Sequence, residues 1–195
     1  MTNDKPQDSE GVGSARYMSP ETALHEAGHV VLAETFGYLT LVYYLGEQDV
    51  SIYYYDGDHL IRETTPPLCV IGMGGYAAEL LFSDGTDLAG CAYDLEQVTD
   101  TYDERFVNSL LSEVRLFSRE AVDALARGLT DEQRSCLYIA YDKLASLRQA
   151  CLETARKLQR VPTGAKWSND ITNRIWQEPG GKVRYGNVQS NDTNF

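Results

Sequence analysis

The amino-acid sequence predicts an α+β fold that is mostly helical, with a small antiparallel sheet and a C-terminal helical bundle. β-branched and aromatic runs are concentrated between residues 39 and 63, which favours strands there. The segments on either side carry helix caps and apolar residues at helical spacing. The 195 residues suffice for one domain with a stable core. We expect a flexible leader at residues 1–17, a domain at 18–160 and a polar C-terminal tail at 161–195.

The first predicted helix runs from about Pro20 to Phe36. Ser19 is a residue type that caps helix N-termini, and proline is favoured at the first helical position. The acidic Glu21 then faces the positive end of the helix dipole. Gly37 is placed to end the helix, because glycine adopts the left-handed conformation that terminates helices.

The predicted sheet follows this helix directly. The runs LTLVYYL, DVSIYYY and HLIRE are typical of strands, and Asp56-Gly57-Asp58 between the last two is a hairpin signal. Paired prolines at 66 and 67 interrupt both ladder and helix, so the sheet ends before them. We therefore expect an antiparallel sheet of two or three strands. Its tyrosine runs would be strand faces, and an edge strand could also hold an extended peptide by strand addition.

The rest of the predicted domain is helical. Residues 68–82, LCVIGMGGYAAELLF, predict a buried helix whose glycines permit close packing. A short polar helix follows at YDLEQVTDTYDE. Two amphipathic helices are then expected, from Phe106 to about Arg127 and from Asp131 to about Leu158, the second opened by a capping box of Thr130 and Gln133. In the polar tail, four apolar residues could dock on the domain: Trp167, Ile171, Ile175 and Trp176.

Composition narrows the class of protein. The net charge is −12, which argues against nucleic acid as a partner because phosphate binding needs a basic surface. No apolar run reaches the roughly 18 residues of a membrane span, and the polar leader does not read as a secretory signal. We therefore expect a cytoplasmic protein without a membrane span. The four cysteines form no CxxC pair, so reduced thiols are expected.

The sequence His25-Glu26-Ala27-Gly28-His29 lies within the first predicted helix. Histidines at i and i+4 lie on one helix face, so both imidazoles can reach a single metal ion. Glu26 sits beside that face, where it can act as a general base on water. The small Ala27 and Gly28 let another element pack tightly against this helix. The pattern therefore predicts a Zn²⁺ site with His25 and His29 as ligands.

A catalytic zinc site needs a third protein ligand and an open fourth position. The remaining histidine, His59, lies in the predicted hairpin and is expected to be exposed. A carboxylate or a thiol is the better candidate. Spacing alone leaves six residues open: Glu47, Glu63, Glu79, Asp87, Cys91 and Asp94.

Three sequence blocks together resemble a known family. The blocks are HEAGH at 25–29, GGYAAE at 74–79 and GCAYDLEQVT at 90–99. In this order they are similar to the signatures of the FtsH-type zinc metallopeptidase domain, the peptidase family of the ATP-dependent AAA metalloproteases. The resemblance spans roughly residues 18–160 and implies that Asp94 is the third zinc ligand. It also implies that the Glu79 carboxylate orients a zinc-binding histidine. A role in helix packing or on the helix surface is an equally good reading of that residue, and direct metal ligation is a minor third.

The chain departs from the family pattern in several ways. It has no GxxxxGK[ST] phosphate-binding loop, so we expect neither the ATPase module nor the membrane anchor of the family. Ala92-Tyr93 replaces the family's Ser-Asn before the metal-binding aspartate, and Tyr76 replaces a basic residue. Besides Glu79, four residues are candidates to support or pack the site: Gly74, Gly75, Tyr93 and Thr99.

The sequence thus predicts a zinc-dependent metalloendopeptidase that is ATP-independent as a single chain. Glu26 would be the general base, and the substrates would be flexible segments of proteins or peptides. A separate ATPase or unfoldase would be a partner where folded substrates are cut. The alternative is a catalytically inactive zinc-binding domain of peptidase fold that serves as a protein-interaction or regulatory module.

Overall fold

The structure, a computed structural model, describes residues 16–46, 49–61, 65–83, 91–115, 122–124 and 126–170. Its helices are α1 (Pro20–Thr35), α2 (Pro67–Gly72), α3 (Gly74–Phe82), α4 (Ala92–Thr101), α5 (Glu104–Leu111), α6 (Asp131–Ser146) and α7 (Arg148–Leu158). Its strands are β1 (Leu39–Gly46), β2 (Asp49–Asp56), β3 (His59–Leu60) and β4 (Lys166–Ser168). The predicted α+β class, mostly helical with a small antiparallel sheet, is confirmed. Several predicted features lie outside the described residues: leader residues 1–15, Glu47, Glu63, Asp87 and the tail from residue 171.

Helix α1 begins and ends where the sequence indicates. The Ser19 side chain accepts a hydrogen bond from the backbone N–H of Thr22 at 3.1 Å, and Pro20 takes the first helical position. At the other end Gly37 has φ +82°, the left-handed conformation that suits glycine. The helix is buried along most of its length and packs against α3 and α7. It therefore forms the centre of the domain.

The sheet has four antiparallel strands in the order β3-β2-β1-β4. The predicted hairpin turn is present between β2 and β3, with Gly57 at φ +61°. Alternation gives the sheet two faces: Tyr44 and Tyr54 join the main core with the helices, while Leu41 and Tyr55 form a small cluster on the other side. The face that carries Tyr54 is turned towards α1.

Strand β4 lies in the segment that the sequence assigns to the tail. Trp167 of β4 pairs with Val42 of β1, and the Asn169 side chain accepts a hydrogen bond from the backbone N–H of Thr40 at 2.7 Å. The fold thus continues beyond residue 160, as far as Asp170 in the described chain. Three residues are too few to show a strand pattern in a polar sequence. The pairing depends on the edge of β1 being free, which is a feature of the tertiary fold.

The predicted single helix over residues 68–82 is divided at Met73 into α2 and α3. The break lets the backbones of α1 and α3 approach closely. A Cβ built on Gly28 would lie 2.1 Å from the carbonyl oxygen of Gly74, a distance at which one helix would have to move. Glycine at both positions is therefore a condition for the observed packing of α1 on α3.

The later helices are also shorter than predicted. Helix α5 begins after Asp103, whose side chain accepts from the backbone N–H of Phe106 at 2.8 Å, and it ends at Leu111. The capping box of Thr130 and Gln133 at the start of α6 is confirmed. The helix predicted to run to Leu158 is interrupted at Leu147, which separates α6 from α7. Among the described helices, none combines the length and the apolar character that crossing a membrane requires.

The contact between Gly28 and Gly74 gives a stability prediction. Gly28→Ala places a methyl group against the α3 backbone and is expected to lower the free energy of unfolding by about 1–3 kcal/mol, the usual cost of overpacking. Urea denaturation measures this change. The control is Gly46→Ala, because a Cβ there meets no atom within 4 Å, and a change within about 0.5 kcal/mol is expected. Equal stability of the two variants would contradict the packing argument.

Candidate metal centre

Three side-chain atoms from two helices converge at the middle of the domain. Helix α1 contributes His25 and His29, whose Nε2 atoms are 3.2 Å apart. Helix α4 contributes Asp94, whose Oδ2 lies 2.9 Å from Nε2 of His25 and 3.5 Å from Nε2 of His29. His29 is buried, and the other two side chains are largely covered. These three atoms form a nearly equilateral triangle.

The triangle has the size that a tetrahedral zinc ion requires. Zinc bonds to imidazole nitrogen and carboxylate oxygen are about 2.0–2.1 Å long, so two ligand atoms at the tetrahedral angle are about 3.3 Å apart. The three separations of 3.2, 2.9 and 3.5 Å bracket that value. The donor types, two imidazoles and one carboxylate, are also those of catalytic zinc sites. The residues present therefore fit a zinc ion.

The outer ring nitrogens of both histidines are held by hydrogen bonds. His29 Nδ1–H donates to the carbonyl oxygen of Ile71 at 2.8 Å, and a carbonyl can only accept. His25 Nδ1–H donates to Oε1 of Glu79 at 2.7 Å. In the neutral imidazoles the Nε2 lone pairs then face the centre of the triangle. With the Asp94 carboxylate, three electron pairs then meet at one point, and a cation between them stabilises the arrangement.

The electrostatics of the cluster favour positive charge beside Asp94. Burial raises the pKa of Asp94, but the two imidazoles outweigh burial and hold that pKa well below its usual range. Burial lowers the pKa of His29, and the adjacent Asp94 carboxylate reverses the effect, so the pKa lies above the ordinary value. His25 responds in the same way, with Asp94 as the chief opposing group. The carboxylate is thus ionised, and it stabilises positive charge beside it, either protons on the two imidazoles or a metal ion.

A cavity of about 70 Å³ opens beside the triangle. Glu26, His29 and Asp94 line it together with five further residues of β2 and α4: Val50, Ile52, Tyr54, Tyr93 and Gln97. The volume holds more than one water molecule. Burial raises the pKa of Glu26, while the nearby imidazoles lower it, with a net rise. Burial also raises the pKa of Tyr54 well above its usual range, so its hydroxyl remains protonated and can donate.

Glycines bring the neighbouring helices up to the cluster. A Cβ on Gly75 would lie 2.3 Å from Nε2 of His25, so α3 packs directly on that imidazole. A Cβ on Gly72 would lie 3.0 Å from Cγ2 of Val98 and 3.5 Å from the carbonyl oxygen of Asp94, so α2 packs closely on α4. Gly74 against α1 and Gly75 against His25 leave no room for a side chain, and at Gly72 a side chain would require Val98 to shift.

Not every predicted site residue lies at the cluster. The Thr99 hydroxyl donates to the carbonyl oxygen of Leu95 and accepts from the Gln133 side chain, so it packs α4 against α6. His59 is exposed in the hairpin. Cys91 is buried, and one ligand atom from each of His25, Cys91 and Asp94 lies within 4.8 Å of the other two.

Sequence reasoning missed several residues that shape the site. The Ile71 carbonyl group, which orients His29, carries no side-chain signal at all. Tyr54 reaches the cavity from β2, and Gln97 from α4. The alternation of β2 predicts that Val50, Ile52 and Tyr54 share one face, but it does not tell which face meets α1.

Comparison of the chain with protein-family models, with curated proteins and with solved structures finds no match in any of the three. The resemblance to FtsH-type domains therefore stays a prediction that depends on the three sequence blocks. A function has to be argued from the geometry and chemistry of the site.

The hydrogen bond from His25 to Glu79 predicts a graded effect on metal affinity. Glu79→Ala removes the acceptor that orients the imidazole and is expected to weaken Zn²⁺ binding by about 10- to 100-fold. Glu79→Gln keeps an acceptor oxygen and should weaken binding less. Competition with a chromophoric chelator measures the affinity. The control is Glu96→Ala, an exposed position on α4, and equal affinities of Glu79→Ala and this control would contradict the role of Glu79.

Proposed function

We propose that the protein is a zinc-dependent metalloendopeptidase. The observation that carries this proposal is the triangle of His25 Nε2, His29 Nε2 and Asp94 Oδ2 at 2.9–3.5 Å, with the Glu26 carboxylate on the wall of the adjoining cavity. Three protein ligands leave a fourth position, which is the arrangement of catalytic rather than structural zinc sites. When bound, zinc supplies a Lewis acid that polarises the scissile carbonyl group and makes water a better nucleophile.

Glu26 is the general base of the proposed reaction. Its neighbour in sequence is His25, and it lines the same cavity as His29 and Asp94, so its carboxylate faces the space where water and substrate would meet. Burial shifts its pKa upward, towards the range in which a carboxyl group both accepts and returns a proton. Glu26 takes a proton from the attacking water and passes it to the leaving amine as the peptide bond breaks. The protonated Tyr54 hydroxyl, which lines the same cavity, can donate a hydrogen bond to a substrate carbonyl.

The sheet beside the cavity supports a peptide as the substrate. Strand β2 pairs with β1 along its length, but with β3 only at Tyr55 and Asp56. The Tyr54 carbonyl oxygen also accepts a hydrogen bond from the backbone N–H of Ile61 at 2.9 Å, and in the described part of the chain no strand pairs with the edge of residues 49–53. The inward side chains of this stretch line the cavity, so an extended peptide added at that edge would pass the metal site.

The size of the cavity limits the substrates. About 70 Å³ accommodates water and a peptide group but not a folded segment. We therefore expect cleavage within flexible segments of proteins or within peptides. The sequence contains no GxxxxGK[ST] loop, so this chain supplies no ATP-driven unfolding through such a motif, and folded substrates would need a separate unfoldase.

The decisive test of the proposed function is Glu26→Gln. The amide cannot accept the proton, so the rate of cleavage of an unstructured peptide library should fall by about 10²- to 10⁴-fold. Because Glu26 is not a ligand, the zinc content should match that of the wild type. Glu21→Gln, an exposed position on the same helix, is the control and should keep its cleavage rate.

Metal analysis of the same proteins completes the test. Asp94→Ala should lose most of its zinc, because only the two imidazoles of α1 would remain at the triangle. A wild-type protein that holds zinc and cleaves no peptide would overturn the peptidase proposal and favour an interaction module. Equal cleavage rates of wild type and Glu26→Gln would also overturn it.

A further inference from the structure

Cys91 lies beside the candidate metal centre, at a position that the proposed reaction does not use. It is the N-cap residue of α4, and Asp94 follows three positions later. The Cys91 side chain is buried, with an exposed fraction of 1%. It is a free thiol, as are the other cysteines of the described chain.

The sulfur of Cys91 is close to two of the three proposed ligands. One ligand atom from each of His25, Cys91 and Asp94 lies within 4.8 Å of the others. In a tetrahedral zinc site, a sulfur at about 2.3 Å from the metal is about 3.5 Å from a nitrogen or oxygen ligand. The separations exceed this value by at most about 1.3 Å, and rotation about the single side-chain torsion of Cys91 changes them.

We propose that Cys91 is a fourth, displaceable ligand that closes the metal centre in its resting state. The inference rests on the proposed zinc site and adds a form of regulation to it. On binding, the thiol gives its proton to solvent and the sulfur forms a bond to the metal as a thiolate. When the thiolate leaves, it regains a proton and the fourth position opens. No electrons are transferred, so no oxidant is required.

In the proposed resting state the metal centre has no open position for water or substrate. With two imidazoles, one carboxylate and one thiolate, all four tetrahedral positions are taken, which is the arrangement of structural zinc sites. Activity would then depend on a substrate or partner that displaces Cys91. Cys91, at the N-cap of α4, would thus inhibit cleavage until it is displaced from the metal.

Cobalt substitution tests this proposal on the full chain. Co²⁺ replaces Zn²⁺ with similar geometry, and a bound thiolate adds an intense charge-transfer band in the near ultraviolet. Wild-type protein should show this band together with the visible bands of tetrahedral Co²⁺. Cys91→Ser should lose the ultraviolet band and keep the visible ones. Cys151→Ala, a buried cysteine on α7, is the matched control and should keep both.

The outcomes separate the two proposals. Visible bands without the ultraviolet band in wild type, or an unchanged ultraviolet band in Cys91→Ser, would overturn the role of Cys91 and leave the metal centre intact. No cobalt bands in wild type would overturn the metal centre itself.

Discussion

The architecture around the site depends on one electrostatic constraint, the meeting of two imidazole nitrogens and a carboxylate oxygen within 3.5 Å of one another. Their outer contacts turn the lone pairs inward, because His29 donates to a carbonyl group and His25 to Glu79. Three such acceptors are stable together only around a positive charge. A proton held by the cluster provides part of the stabilising positive charge. In our proposal, a zinc ion provides all of it.

This constraint accounts for how tightly the surrounding helices pack. The ligands come from α1 and α4, and the groups that orient them come from α2 and α3. Four helices therefore have to pack around the same cluster of side chains. Glycines make this approach feasible. Gly28 and Gly74 let α1 and α3 touch through their backbones, and Gly75 leaves space for the His25 ring. These positions carry no chemistry themselves, yet larger side chains there would push the ligands apart.

Local rules predicted the parts of this site that lie close together in sequence. The caps of α1 and α6 and the hairpin turn follow from residue types, and the spacing of His25 and His29 follows from the helical period. Asp94 is 69 residues from His25, and only the resemblance to a family distinguished it from the other acidic candidates. The break at Met73 and strand β4 depend on tertiary packing, which single-sequence patterns do not contain. The orienting carbonyl group of Ile71 has no sequence signature, because every residue carries one.

The most direct test of the central claim is a crystal structure of the zinc-loaded protein with anomalous diffraction recorded at the zinc edge. We expect one strong peak at about 2.0–2.2 Å from His25 Nε2, His29 Nε2 and an Asp94 carboxylate oxygen, with the outer hydrogen bonds to Ile71 and Glu79 retained. The absence of a peak at these residues, or a peak held by other side chains, would contradict the account.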